Sequence, residues 1–443
     1  MGRIFIFCCL LLGFGVFRLS KRPRGMRDFM PEEMSFRRRV IEVVRGVFEL
    51  FGFGEVDTPA LELWEVLSAK CGDEVKEQIY CFQDKAGRWL GLRFDLTVPL
   101  ARVVASSPTL VLPFKRYCIG KVWRYEEPQS GRFREFVQAD ADIVGSDKPD
   151  ADAEVLAVAS TCLERLGLND FVIELSNRKV LEGIMAEAGV SNDRFFEACR
   201  ILDKLDKVGR EGVVREFYSR GFPNGVAERV LELTSVSLDE AEEVLRRHQR
   251  ALEGVKEVEE IIKLGEWYGF ADKVKVDFSL ARGLDYYTGP VFEFKVRTYG
   301  AGSVAGGGRY DDLIERIGGR ALPATGVSLG IERIIEVLSS REGKGSYRYA
   351  DVFIAAVDES VKGEAVKLAS LFRSRDVRVE VDLMGRRLSR QLEYADSKNI
   401  PFVVIVGKRE VEEGKVRLRD MVKREEVLLS ADEALQAILS KLS

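Results

Sequence analysis

Within Leu280 to Phe294, the segment up to Tyr287 gathers one arginine, one carboxylate and two phenols (Arg282, Asp285, Tyr286 and Tyr287) just ahead of an apolar run with strand character. A guanidinium is always charged and presents its donors as a planar fork, so such a group in a polar pocket is suited to an anion. A second arginine stands in Trp123-Arg124-Tyr125-Glu126-Glu127-Pro128. Two guanidinium groups aimed at one point would stabilise the charge that develops during phosphoryl or nucleotidyl transfer.

Other candidates surround these two. Arg116 to Arg124 and Phe133 to Val144 read as strands joined by the polar loop Glu126 to Arg132. Pro128 and Gly131 suit a turn there, so the pair is expected to be an antiparallel hairpin. Phe136 precedes Gln138 by two residues and Asp142 follows it by four, so all three share one face of the second strand. The ring could stack on a base and the carboxylate could take a cation; a solvated face paired with arginines fits the spacing equally well. Asp95 and Thr97, in Arg93-Phe94-Asp95-Leu96-Thr97, sit where a strand turns into a helix. They could hold an ammonium group, although helix capping alone accounts for them.

Gly302 to Asp311 carries three consecutive glycines. It lacks the Gly-Lys-Ser/Thr ending of a P-loop and the Rossmann spacing. The run would allow a backbone to approach a ligand closely, or would make a tight turn. Arg333, in Gly330-Ile331-Glu332-Arg333, opens a helix and could lie over an aromatic base or pair at the surface near Glu336.

The bulk numbers narrow the class. A chain of 443 residues is long enough for two or three domains. Its net charge of −4 provides no global basic field, which argues against a nonspecific nucleic-acid coat but leaves local basic faces open. The seven cysteines (Cys8, Cys9, Cys71, Cys81, Cys118, Cys162, Cys199) form no CxxC pair, so no disulfide framework or metal site is expected and a reducing compartment is favoured. The only histidine, His248, falls on a predicted helix face, so a Ser-His-Asp triad has no material here. Ile4 to Phe17 is nearly all apolar, shorter than the ~20 residues of a membrane span and without a clear cleavage site. We read residues 1–20 as an upstream-assigned start, with no membrane association.

Several elements must position these groups. Phe36, Val40, Val43, Val47, Leu50 and Phe51 mark an amphipathic helix after Pro31. Glu55 to Leu61 reads as a strand whose Pro59 implies an edge or a bulge. Leu90 to Phe94 reads as a strand, and Thr97 to Ala105 and Ala151 to Leu166 as helices. After the strand Phe171 to Leu175, helical spacing dominates 177–268, which reads as an insertion between two halves of a sheet. Strands resume at Val274 to Phe278, Val291 to Val296, Gly302 to Ala305 and Thr325 to Leu329. Ser339 to Ser346 is a linker, and strand–helix alternation beyond it predicts a small α/β domain.

The combination resembles histidyl-tRNA synthetase, a class II aminoacyl-tRNA synthetase. Pro59 in its strand, Arg124 through Phe136, and Gly330-Ile331-Glu332-Arg333 are similar to class II motifs 1, 2 and 3. Leu280 to Tyr287 and Ala305 to Asp311 resemble the two histidine-specific segments, and Arg22 to Phe29 the family's opening. The resemblance implies an α+β fold: an antiparallel-sheet catalytic domain over 21–345 with the helical insertion, and an α/β anticodon-binding domain over 346–443.

It also implies activation of L-histidine with ATP, as its Mg²⁺ complex, without a tightly bound cofactor, and transfer to histidine tRNA by a cytoplasmic homodimer. Arg124 and Arg282 would be catalytic at the α-phosphate. Asp95, Thr97 and Gln138 would hold the α-amino group, Arg124 the carboxylate and the α-phosphate, and Arg282 the same phosphate from the opposite side, with Leu96 and Arg282 also counted in the histidine site. Asp142 and Tyr287 would bind the imidazole, with Tyr286 and Tyr310 lining the pocket. Glu126, Arg132, Phe136 and Arg333 would complete the ATP site around Arg124. Asp95 and Asp142 are the shorter carboxylates where some relatives carry glutamate. The alternative is the non-catalytic regulatory subunit of ATP phosphoribosyltransferase, which typically lacks the last domain and the arginine at 282.

Overall fold

The computed structural model describes residues 21–69, 76–128, 131–283, 286–300, 302–342 and 348–442. The apolar segment 1–20, Cys71, residues 129–130, Leu284, Asp285 and residues 343–347, on which part of the expected loop and linker fall, lie outside the described residues. The chain divides into two compact units, one of Arg37–Arg341 with the segment up to Asp28, the other of Glu342–Ser443 with Phe29–Phe36.

The larger unit is built on an eight-stranded sheet. Its strands are β1 (Gly54–Glu55), β5 (Phe114–Trp123), β6 (Glu135–Val144), β7 (Phe171–Asn177), β8 (Val274–Val276), β9 (Pro290–Val296), β10 (Ala305–Arg309) and β11 (Ala324–Gly330). Their order is β1-β5-β6-β11-β10-β9-β7-β8. The six central strands are antiparallel, while β1 and β8 add parallel edges. The expected hairpin is present, with Trp123 opposite Glu135 at its tip and Phe114 opposite Val144 at its base.

Three readings of the sequence are corrected here. The glycine run is a central strand that begins at Ala305, where the expected strand ended. At Gly307 a Cβ would lie 2.0 Å from the Gly326 carbonyl, so the two backbones approach too closely for any other residue. Glu55 to Leu61 is not one strand. Pro59 lacks a ladder donor, and the chain pairs only before it in β1 and after it in β2 (Leu61–Leu63). Beside β2, β3 (Cys81–Gln83) and β4 (Trp89–Leu92) complete a small antiparallel sheet ordered β2-β4-β3. The buried stripe of the helix Pro31–Leu50 runs through Phe36, Val40, Val44, Val47 and Phe48, leaving Leu50 exposed.

The insertion between β7 and β8 is helical, from Arg178–Glu187 to Gln249–Tyr268, and has its own core around Leu181, Ile184, Phe217, Val230 and Val255. This long crossover lets β7 and β8 pair in parallel. The smaller unit orders its strands β13-β12-β14-β15-β16: Val379–Val381, Val352–Ala356, Phe402–Val406, Lys415–Asp420 and Glu425–Ser430. The first three are parallel and the last two antiparallel to their neighbours. Val352 and Ile354 face one core and Phe353 and Ala355 another, as a sheet covered on both faces requires. No helix among the described residues is long and apolar enough to cross a membrane.

One buried ion pair ties the end of β10 to the helix Pro149–Arg165. Arg309 donates to Asp152 through Nε at 3.1 Å and Nη2 at 2.5 Å, and to the carbonyls of Ser146 and Lys148. Their side chains are 4% and 1% exposed. Asp152→Ala leaves this buried guanidinium with Asp311, at 3.4 Å, as its remaining counter-charge, an expected loss of about 3 kcal/mol. All four tryptophans, Trp64, Trp89, Trp123 and Trp267, lie in the larger unit, so the denaturant midpoint of their fluorescence measures it. An unchanged midpoint would show that the pair contributes nothing.

Candidate active site

Cross-strand register builds the site. On β6, Gln138, Asp140 and Asp142 alternate onto one face. Opposite them on β11 stand Gly330, Ser328 and Gly326, and beyond these on β10, Gly306 faces Ser328 and Gly308 faces Gly326. The charged residues of β6 therefore look across a floor of small residues. At Gly326 a Cβ would lie 2.0 Å from Asp142 Oδ1. The floor exists only because these residues lack side chains.

A first cavity of about 250 Å³ lies on this floor. Its walls include Asp95, Thr97, Asp140 and Tyr310. A second cavity, of about 330 Å³, is walled by Glu126, Arg132, Phe136, Arg282 and Arg333. Arg124, Gln138, Tyr286 and Tyr287 line both, so the two cavities adjoin. Arg282 lines the second cavity and Asp142 the first. Leu96 is not brought to either. Its side chain is buried with Cys118 and Val122, while its carbonyl accepts from Arg116 Nη2 at 2.9 Å.

Behind the first cavity lies a buried polar relay. Arg116 Nη2 is 2.8 Å from Asp142 Oδ2, and Tyr310 donates its hydroxyl to Asp142 Oδ1 at 2.5 Å. Burial, then the Asp142 charge, holds the Tyr310 phenol well above its ordinary range. Burial, then the neighbouring Tyr286, does the same for Tyr287; the two rings stand 4.2 Å apart. Asp95 does cap its helix, accepting from Val98 N–H at 3.0 Å, and lines the cavity as well. The two readings of that residue are compatible.

On the other side, Arg282 is held by the Glu293 carboxylate and by Ser303 Oγ at 2.8 Å. Arg333 donates to the Ser303 carbonyl at 2.5 Å. Burial, then the charges of Arg282 and Arg132, depresses the Arg333 guanidinium. Those three cations are therefore close neighbours. Arg124 donates Nε to the Phe94 carbonyl at 3.0 Å and lies 5.2 Å from the Phe136 ring centre. Glu332 is a structural anchor at the start of its helix. It accepts from Arg37 Nη2 at 2.6 Å and from Val137 N–H at 2.9 Å.

Sequence reasoning missed four residues here. Asp140 follows Gln138 by two, so the alternation that selected Gln138 and Asp142 also selects it. Burial, then the neighbouring Asp142 carboxylate, pushes its carboxyl up to about 7. Glu293 is one of two charged residues, with Lys295, inside an otherwise apolar strand, and that position should have marked it. Arg116 and Ser328 gave no comparable sign.

Comparison with known proteins agrees with this architecture. Residues 25–334 match the family model described as histidyl-tRNA synthetase, and 351–441 match an anticodon-binding domain. A histidine–tRNA ligase of Aeropyrum pernix is 44% identical over 94% of this chain and 97% of its own. One from Thermococcus kodakarensis is 40% identical over 96% and 99%. The crystal structure of histidyl-tRNA synthetase from Nostoc superposes with a TM-score of 0.81 at 30% identity, covering 95% of this chain and 99% of that one. An ATP phosphoribosyltransferase regulatory subunit/histidyl-tRNA synthetase from Bacillus halodurans, at 24% identity and a TM-score of 0.74, shares the fold. The antiparallel sheet and its helices are those of a class II aminoacyl-tRNA synthetase. Within that class, the chain belongs to the histidyl-tRNA synthetase family.

The glycine floor generates a paired test. Gly326→Ala must displace Asp142, whereas at Gly306 the nearest atom to an added Cβ is the Phe292 carbonyl at 3.3 Å. Overpacking of about 1–3 kcal/mol corresponds to roughly a ten- to hundredfold rise in KM for the amino-acid substrate in Gly326→Ala. Gly306→Ala is expected to cost less than Gly326→Ala, since the Phe292 carbonyl need give by only a few tenths of an ångström and no carboxylate is displaced. Steady-state kinetics check both; equal effects would mean that the Asp142 approach is unimportant.

Proposed function

We propose that the protein activates L-histidine with ATP and transfers the histidyl group to the 3′ end of histidine tRNA. The observation that carries this reading is the polarity of two adjoining cavities. Asp95, Asp140 and Asp142 line the first, Arg132, Arg282 and Arg333 line the second, and Arg124 lines both. An amino acid is a zwitterion, and this field orients it with the ammonium inward and the carboxylate toward Arg124.

In this reading Asp95, Thr97 and Gln138 receive the ammonium, while Asp142 and Tyr287 receive the imidazole nitrogens between Tyr286 and Tyr310. A pocket that hydrogen-bonds both nitrogens rejects side chains lacking them, because its buried polar groups would go unpaired. ATP, with its Mg²⁺, occupies the second cavity. Phe136 and Arg333 sandwich the adenine, Glu126 lies near its amino group and Arg132 reaches the distal phosphates.

The carboxylate oxygen attacks the α-phosphorus, and the bond to pyrophosphate breaks. Two anions meet, so the barrier is electrostatic, and Arg124 and Arg282 offset it. The nucleophile is already ionised, so no protein base is required. In the second step a terminal tRNA hydroxyl attacks the acyl carbon and AMP leaves. The smaller unit binds the anticodon, and the enzyme acts as a cytoplasmic homodimer. The presence of Arg282, oriented by Glu293 and Ser303, and of the anticodon-binding match favours the enzyme over the regulatory subunit.

Histidine-dependent ATP–pyrophosphate exchange tests the reading; exchange driven by another amino acid, or none, would overturn it. Arg282→Ala is expected to lower exchange by about 10²–10³-fold while histidine binding, measured by calorimetry, persists. Equal loss of binding and rate would contradict a role confined to the transition state.

A further inference from the structure

Asp140 is the one carboxyl of the first cavity whose function the reaction has not absorbed. It is 2% exposed, lines that cavity and has no hydrogen-bond partner on Oδ1. Asp95 caps its helix, and Asp142 is engaged by Arg116 and Tyr310. Native interiors leave few buried acceptors unpaired, and such an atom facing a ligand cavity points to a missing donor.

The surroundings define that donor. Asp142 neighbours Asp140 on its own strand, Arg116 and Cys118 face it from β5, and Ser328 from β11. Asp95 approaches from the helix start, and Tyr287 and Tyr310 from the tyrosine wall. Arg116 is the cation among these, and it is already 2.8 Å from Asp142 and bonded to the Leu96 carbonyl. Ser328 uses its oxygen as acceptor for Gln138 Nε2 at 2.5 Å, leaving its hydroxyl proton for Asp140. Asp140 and Asp142 thus share the buried Arg116 guanidinium, Asp95 adds a third carboxyl nearby, and Arg124 is a further cation, lining the cavity. Like charges at close range oppose ionisation, and an entering cation reverses the balance.

We propose that Asp140 is a further substrate-binding residue, whose unpartnered buried oxygen takes the substrate's ammonium, the carboxyl giving up its proton to solvent as the ammonium enters. The step is balanced: the carboxyl O–H bond breaks, the proton leaves to water, and the new carboxylate pairs with the ammonium. Gln138, Asp140 and Asp142 are two residues apart, roughly 7 Å per step along the strand. Asp140 thereby lies between the amide assigned to the ammonium and the carboxylate assigned to the ring. This inference rests on the histidine reading above.

The test is calorimetric titration of L-histidine into the full chain at about pH 6 and about pH 8, each in two buffers of different ionisation enthalpy. The free imidazole contributes equally for every protein compared. Wild type is expected to release close to one proton more than Asp140→Asn at the lower pH and the same number at the higher. Its affinity is expected to gain roughly tenfold more than the variant's between the two. Asp140→Ser serves as a second variant, and retained ATP binding reports that either has folded. Equal proton counts in wild type and a folded variant overturn the inference. So does wild-type release no greater than the ligand's own, whichever variants fold. No histidine binding to wild type would instead sink the functional reading itself, and the inference with it.

Discussion

Arg116 is a guanidinium with 1% of its surface exposed, in the middle of a sheet, and much of the site hangs from its compensation. Removing such a group from water costs several kcal/mol unless charge and hydrogen bonds replace the lost hydration. Asp142 supplies the charge and the Leu96 carbonyl supplies an acceptor. Each of these fixes something else. Holding Leu96 sets the turn that carries Asp95 and Thr97, and holding Asp142 directs its other oxygen to Tyr310. One buried ion therefore orients a helix start, a strand carboxylate and a phenol toward the same space.

That space depends equally on what is missing. The row Asp140, Ser328, Gly306 and Glu293 runs across β6, β11, β10 and β9 in register. Residues paired across strands share a face, and neighbouring strands lie ~4.8 Å apart. Asp140 and Glu293 thus face the same side about three strands apart, separated by side chains too small to fill the gap. Glu293 restrains Arg282 at the far end. The sheet is in this sense a ruler: it fixes the separation of the acidic and basic ends, and its small residues keep the interval open.

The fold was legible to different depths in different places. The hairpin, the insertion and the C-terminal alternation were readable because each has a strong period and clear breakers. Alternation along β6 identified Phe136, Gln138 and Asp142 correctly as one face. The same rule applied without interruption would have added Asp140. The glycine strand resisted because Gly306 to Gly308 carry no hydropathic pattern, and the close backbone approach that explains them is between strands distant in sequence. Pro59 marked an irregularity, but whether it ended the strand or bulged it depended on pairing. Arg116 and Arg37 were invisible because an arginine in a strand or helix is usually solvated. Only their partners, Asp142 and Glu332, make burial tolerable.

In the proposed reaction the division of charge removes the need for a protein base. Repulsion between two anions falls as the positive potential around them rises, and it falls most when the charges are fixed before the reaction begins. Arg282 is fixed by Glu293 and Ser303, Arg333 by the Ser303 carbonyl, and Arg124 by the Phe94 carbonyl. None of these partners is a reacting group, so the donors need little reorganisation. The cost appears in the protein itself: Arg333 is depressed first by burial and then by the charges of Arg282 and Arg132. Carboxylates in the first cavity and guanidinium groups in the second are each unfavourable alone. In the proposed reading a zwitterion beside a polyphosphate would relieve both, and the strain of the free site would become selectivity for a pair of ligands bound in one orientation.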